Sequence, residues 1–195
     1  MAQETPAAHS GGESKAREMS VNQTPRRPAN PRAARWRSAR MPIHVLRRTQ
    51  VIAAPLRQCW AFFSDPRNLA ELTPPGLDFR VLSDLPPAIY PGMMIEYRVR
   101  PLLGVPMTWL TEITHVEAPH HFVDEQRVGP YAVWHHEHFF TALDAGRTEI
   151  RDVVHYVLPF GWLGNLAHPF VVAPQLGKIF AFREKAVAER FGGNC

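Results

Sequence analysis

The feature that most constrains the fold is a series of five segments between residues 92 and 158 in which apolar and polar residues alternate. Alternation with a period of two is typical of strands that bury one face. Short turns separate the segments, among them Gly129-Pro130 and Asp144-Ala145-Gly146. Because connections this short join antiparallel neighbours, the pattern predicts an antiparallel meander. Its strands are predicted over residues 92–100, 107–117, 121–128, 131–143 and 148–158.

Helical periodicity flanks this meander on both sides. A first strand over residues 43–52 precedes Pro55, and apolar residues then follow at helical spacing. Asp65-Pro66 starts a second short helix that runs to about residue 72, and a short strand is predicted over residues 77–82. At the other end Pro174 opens a helix of about 18 residues, roughly 27 Å long and sufficient to cross a sheet. The sequence therefore predicts an α+β fold, with a curved antiparallel sheet around a long C-terminal helix and two short helices after the first strand.

Residues 1–40 differ in composition from the rest of the chain. They hold eight basic and three acidic side chains and no Leu, Ile or Phe, whereas residues 41–195 hold 14 basic and 15 acidic side chains. We predict a disordered basic extension over 1–40 and one ligand-binding domain over 41–195. Because the positive charge lies outside the domain, nucleic acid is not an expected partner. The sequence contains no run of about 18 apolar residues, so we expect no integral membrane segment. Its two cysteines lack disulfide or zinc spacing, which favours a cytoplasmic protein.

Polar residues occupy predicted inward faces of three consecutive strands. His136 and His138 share a face with Trp134, and Asp152 has the same parity as its apolar neighbours in the last strand. Such groups are costly in a closed apolar core, whereas a cavity with a polar-headed ligand or water satisfies them. The alternative is a structural network that ties the strands together. The candidate ligand-binding residues are Tyr97, Trp109, Asp124, Gln126, Trp134, His136, His138, Asp152 and Tyr156.

The same cluster contains the candidate catalytic residues. A histidine oriented by a carboxylate has a pKa range suited to acid–base work, so the candidates are His136, His138, Asp124 and Asp152. A metal is not expected, because a His-x-His pair alone is common and no HExxH motif supports it. The absence of P-loop and GxGxxG motifs argues against a nucleotide cofactor, and we expect no cofactor.

The order of elements and several local motifs resemble the START-like, or SRPBCC, superfamily, which includes polyketide cyclases and coenzyme Q-binding proteins. The resemblance covers residues 41–192 and implies the helix-grip fold with a deep cavity between the sheet and the long helix. It implies a carrier or sensor of a hydrophobic or amphipathic small molecule, or alternatively a cyclase or dehydratase that uses His and Asp. The matching stretches are Ala54-Pro55 with Trp60 and Phe63, Trp109-x-Thr111-x-Ile113, Phe122-x-Asp124-x-Gln126-x-x-Gly129-Pro130, Trp134-x-His136-x-His138-x-Phe140 and Asp152-x-Val154-x-Tyr156-x-Leu158-Pro159.

Overall fold

Seven antiparallel strands form a single sheet. The structure, a computed structural model, describes residues 42–100 and 104–192. In spatial order the strands run β1-β7-β6-β5-β4-β3-β2, so the first strand returns to the edge beside the last strand. The strands are β1 (His44–Ile52), β2 (Arg80–Val81), β3 (Met93–Val99), β4 (Met107–Glu117), β5 (His121–Val128), β6 (Val133–Ala142) and β7 (Thr148–Val157).

The helical segments lie between β1 and β2 and after β7. The first helix, α1 (Leu56–Phe63), is followed by short 3₁₀ helices at Pro66–Ala70 and Pro75–Leu77. After the sheet come α2 (Trp162–Ala167), a π-helical segment (His168–Val172) and the long helix α3 (Ala173–Phe191). Among the described residues, no helix combines the length and the apolar character that crossing a membrane requires.

Helix α3 packs across the inner face of the sheet. Its 19 residues span about 28 Å. Phe180 belongs to the apolar cluster around Trp134 and Tyr156, whereas Val187 belongs to the cluster around Phe140. The helix therefore covers the sheet from one end of β6 and β7 to the other. A third apolar cluster, on β3 and β4, lies apart from it.

The predicted helix-grip architecture is confirmed, with three local differences. The predicted strand over 77–82 shrinks to Arg80–Val81, because a 3₁₀ turn ends at residue 77 and Asp78 then adopts a left-handed backbone with φ 43°. The predicted second short helix is a 3₁₀ helix of five residues. Residues 162–172 are helical, although their exposed apolar side chains carry no amphipathic pattern that would have predicted a helix. The prediction for residues 1–40 lies outside the described residues.

Candidate functional site

A cavity of about 410 Å³ lies between the concave face of the sheet and helix α3. Side chains from β3, β4, β5, β6 and α3 form much of its wall, and α1, the first 3₁₀ helix, several loops and the segment between β7 and α3 also contribute. The volume is within the range of pockets that hold small organic ligands, about 300–1,000 Å³. Its apolar wall includes Phe62, Leu69, Ile95, Val99, Ile113, Trp109, Trp134, Leu176 and Phe180.

One polar patch interrupts this apolar wall, and the strand register explains its position. Asp124 lies directly opposite His136 in the β5–β6 pair. His138 lies opposite Asp152 in the β6–β7 pair. All four side chains have the parity of the concave face, so three neighbouring strands bring two histidines and two carboxylates together.

The two histidines lie between the two aspartates. His138 donates a hydrogen bond from Nε2 to Asp124 Oδ2, at 2.8 Å, and from Nδ1 to Asp152 Oδ1, also at 2.8 Å. His136 donates from Nε2 to Asp152 Oδ1 at 3.3 Å, and its Nδ1 lies 3.4 Å from Asp124 Oδ2. The two imidazole rings are 3.8 Å apart between centroids. Each ring therefore spans the same pair of carboxylates.

Arg183 of α3 completes the cluster. Its NH2 lies 3.3 Å from Asp152 Oδ1 and 3.3 Å from His138 Nδ1. The guanidinium also lies 5.3 Å from the ring centre of Phe63. The side chains of Arg183 and Asp152 are only 13% and 9% exposed, so this contact is poorly screened by water.

Burial and charge act in opposite directions on the ionisation of the cluster. Burial works to raise the pKa of Asp152, but Arg183 and hydrogen bonds from both histidines hold it well below its ordinary value. The pKa of Asp124 is also lowered, because His136 and His138 outweigh its burial. Burial opposes the charged form of His138, yet the two carboxylates raise its pKa. Burial and the neighbouring His138 lower the pKa of His136. The surroundings therefore favour the charged form of His138 and the neutral form of His136.

Sequence reasoning missed Arg183, although the sequence carries a signal for it. Leu176, Phe180 and Val187 are the buried residues of α3. Position 183 continues the same stripe, at steps of three and four residues, and therefore faces the sheet. A basic residue on the buried stripe of a helix is unusual enough to predict a buried acidic partner.

The structure distributes the other predicted site residues among different surroundings. Tyr97, Trp109 and Trp134 line the cavity, as do Asp124, His136 and His138. Asp152 joins the cluster but lies behind the histidines and is not part of the cavity wall. It accepts hydrogen bonds from the imidazole nitrogens that face away from Asp124.

Two predicted residues lie outside both the cluster and the cavity wall, which corrects the sequence expectation. Gln126 binds the backbone of Tyr131, donating to its carbonyl at 2.7 Å and accepting from its N–H at 3.3 Å. The amide thereby fixes the β5–β6 turn, and a Cβ at Gly129 would collide with it. Tyr156 lies in the apolar cluster beneath the π-helical segment, where its hydroxyl is 2.7 Å from His168 Nε2.

The rim of the cavity is apolar and exposed. Phe160 and Val171 line the cavity, yet Phe160 is 82% exposed. Trp162 and Phe170, in the same segment, are 73% and 78% exposed. The segment that lines this part of the cavity therefore also carries large exposed apolar side chains.

Comparisons with known proteins agree with this geometry. A family model described as polyketide cyclase / dehydrase and lipid transport matches residues 52–172. No curated protein matches the chain in sequence.

Several solved structures have a similar fold. The Zhui aromatase/cyclase from Streptomyces sp. R1128 has a TM-score of 0.61 and 17% identity, over 77% of this chain and 94% of that one. Protein Ms6760 from Mycobacterium smegmatis has a TM-score of 0.54 and 22% identity, over 75% and 92%. Norcoclaurine synthase from Thalictrum flavum, in complex with dopamine and hydroxybenzaldehyde, has a TM-score of 0.54 and 15% identity, over 75% and 87%. At these identities the likeness establishes the fold alone.

Proposed function

This chain belongs to the polyketide cyclase / dehydrase and lipid transport family, and on that basis we propose that it binds a hydrophobic or amphipathic small molecule in the cavity between the sheet and α3. The protein acts as a carrier or sensor of that molecule. The observation that carries the proposal is a ligand-sized, largely apolar cavity whose wall includes a cluster of two histidines, an aspartate and an arginine.

The polar groups of the wall support a ligand with one polar end. Asn68 and Thr73 are already occupied, because they donate to backbone carbonyls of Phe62 and Leu69. Asp65 is paired with an arginine outside the cavity wall. Thr111 and Gln175 also line the cavity, but the remaining ionisable His, Asp and Arg side chains of the wall are concentrated on β5, β6 and α3, at Asp124, His136, His138 and Arg183. The apolar body of the ligand then packs against the aromatic wall, and its polar end meets this patch.

A binding experiment with an amphipathic aromatic probe tests the proposal. We expect 1-anilinonaphthalene-8-sulfonate to bind the full chain at one site, with quenching of tryptophan fluorescence because Trp109 and Trp134 lie in the wall. Leu69→Trp places a larger side chain in the cavity and is expected to weaken binding at least tenfold. The matched control is Leu82→Trp, since Leu82 is exposed and does not line the cavity. Equal binding by L69W and L82W would refute the proposal.

Catalysis on the bound molecule is a second candidate. The observation that favours it is that both cavity-facing histidines are backed by Asp152, an arrangement that fixes their orientation for proton transfer. A cyclase or dehydratase of this kind would convert the molecule that it carries. Because ring closure without loss of water leaves the mass unchanged, the test follows both the mass and the chromatographic retention of a co-purified ligand over time, in the wild type and in His138→Gln. Conversion by both proteins at the same rate, or by neither, would refute this role.

A further inference from the structure

The two histidines and Asp124 form an arrangement that is more specific than a hydrogen-bonded network. One ligand-type atom from each of Asp124, His136 and His138 lies within 4.8 Å of the other two. His136 Nδ1 and His138 Nε2 are 3.4 and 2.8 Å from Asp124 Oδ2. Metal–ligand bonds of about 2.1 Å at angles between 90° and 109° separate ligand atoms by about 3.0–3.4 Å. The observed separations bracket that range.

The nitrogens that face away from this point are held by a second carboxylate. His136 Nε2 and His138 Nδ1 both point to Asp152 Oδ1, at 3.3 and 2.8 Å. A metal-ligating histidine characteristically donates its other N–H to such an acceptor, which fixes the tautomer and the ring orientation. Here one buried oxygen performs this role for both rings. Arg183 lies 3.3 Å from the same oxygen and balances its charge, so Asp152 remains an acceptor rather than a ligand.

The exposure of the four residues matches this division of roles. Asp124, His136 and His138 line the cavity, whereas Asp152 does not. Three ligands on one side leave the cavity side open for water or for an oxygen atom of a bound molecule. Sequence reasoning gave little weight to a metal because a His-x-His pair alone is common and no HExxH motif supports it. The register of β5 against β6 places Asp124 opposite His136, so a third ligand lies beside the pair.

We propose that Asp124, His136 and His138 bind a first-row divalent cation such as Zn²⁺, with Asp152 as the acceptor that orients both histidines. The site deepens the proposed function and rests on it in one respect, because the open positions of the metal would receive a ligand oxygen in the same cavity. Two histidines and one carboxylate are suitable donors for zinc, iron and cobalt, whereas magnesium and calcium prefer oxygen ligands alone.

The chain also offers an internal control. His115, Glu117 and His121 form a second group with suitable spacing, but His115 and Glu117 are exposed, and Glu137, a carboxylate outside the group, lies 4.0 Å from His121 Nε2, beyond hydrogen-bond distance. If binding reflected only a chance collection of histidines, this surface group would compete equally. The double variant H115Q/H121Q removes it without touching the cavity.

The test uses the untagged full chain, stripped with a chelator and titrated with ZnCl₂ by calorimetry. We expect one equivalent to bind, unchanged binding in H115Q/H121Q, and loss of binding in H136Q and in H138Q. Asp152→Asn is expected to lower affinity 10–100-fold while leaving all three ligands in place. Absence of zinc binding to the wild type, its loss only in H115Q/H121Q, or an unchanged affinity in D152N would each overturn the proposal.

A second measurement on the unmodified protein avoids dependence on the folding of the variants. Imidazole NMR signals of two histidines are expected to shift on addition of ZnCl₂, and the visible spectrum of the CoCl₂ complex is expected to show nitrogen and oxygen ligation. Shifts confined to exposed histidines would overturn the assignment. Binding of 1-anilinonaphthalene-8-sulfonate to the metal-free protein is measured in parallel. Retained probe binding without zinc binding would refute the metal site and leave the cavity proposal standing.

Discussion

Replacing Arg183 tests whether the polar cluster is a coupled electrostatic unit. Arg183→Met keeps most of the aliphatic length of the side chain but removes the guanidinium, and with it the charge 3.3 Å from Asp152 and the contact with the Phe63 ring. Loss of one partner from a buried ion pair costs about 3–5 kcal/mol. His138 remains as a second cationic neighbour of Asp152, so we expect the lower end, about 3 kcal/mol.

The size of the effect can be measured by urea denaturation of the chelator-treated protein. With a denaturant slope of about 2 kcal/mol per M for a domain of this size, R183M lowers the midpoint by about 1.5 M. Lys178→Met is the matched control, because Lys178 is an exposed residue of the same helix, and its effect stays within about 0.5 kcal/mol.

A double-mutant cycle shows whether the loss comes from an unpaired carboxylate. Asp152→Asn alone leaves Arg183 and His138 facing only Asp124, and it is also expected to cost about 3 kcal/mol. In R183M/D152N both charges are gone, so the combined loss is expected to fall short of the sum by about 2 kcal/mol. An R183M variant as stable as K178M, or strictly additive losses in the cycle, would refute the electrostatic reasoning.

Three further predictions concern the fold and its pH dependence. Phe180→Ala is expected to cost about 3 kcal/mol in denaturant unfolding, because it removes a buried ring between α3 and the sheet, whereas Phe170→Ala, at a ring 78% exposed, is expected to be nearly neutral; equal effects would argue against closure of the sheet by α3. Removal of residues 1–40 is expected to leave the melting temperature unchanged, and a loss of several degrees would contradict this prediction. Because the pKa values of Asp124 and Asp152 are lowered in the folded state, the stability that these carboxylates contribute is fully present above about pH 4 and is lost as the pH falls through the lowered values. Acid titration of D152N, followed by circular dichroism, is expected to show a shallower loss of structure than the wild type. An unchanged acid limb in D152N would count against this prediction.

The sequence was sufficient for the pairing of the five meander strands, but it did not indicate that β1 pairs with β7. Alternation along each segment and the short turns determine an antiparallel meander, and strand parity places Asp124, His136, His138 and Asp152 on one face. Their mutual proximity follows from register, which the turn lengths fix.

The same parity argument was not sufficient for Gln126 and Tyr156. Both side chains lie on the expected face of the sheet, but local hydrogen-bond partners determine where their polar atoms lie. The Gln126 amide forms hydrogen bonds with the backbone of Tyr131 in the turn, and the alternation of residues along a strand carries no information about such a contact. Tyr156 is covered by the segment at 162–172, whose helical structure the sequence pattern did not indicate. Arg183 was missed because its identity as a basic residue outweighed its position on the buried stripe of α3.

The most direct test of the central claim is native mass spectrometry of the full chain, purified under mild conditions from the cells that naturally produce it. The account predicts protein with one non-covalently bound organic molecule, present in the wild type and in L82W and absent from L69W. Leu69 lines the cavity, whereas Leu82 does not. Wild-type protein without any bound molecule, or a molecule retained equally by L69W, would contradict the claim that the cavity between the sheet and α3 is a ligand-binding site.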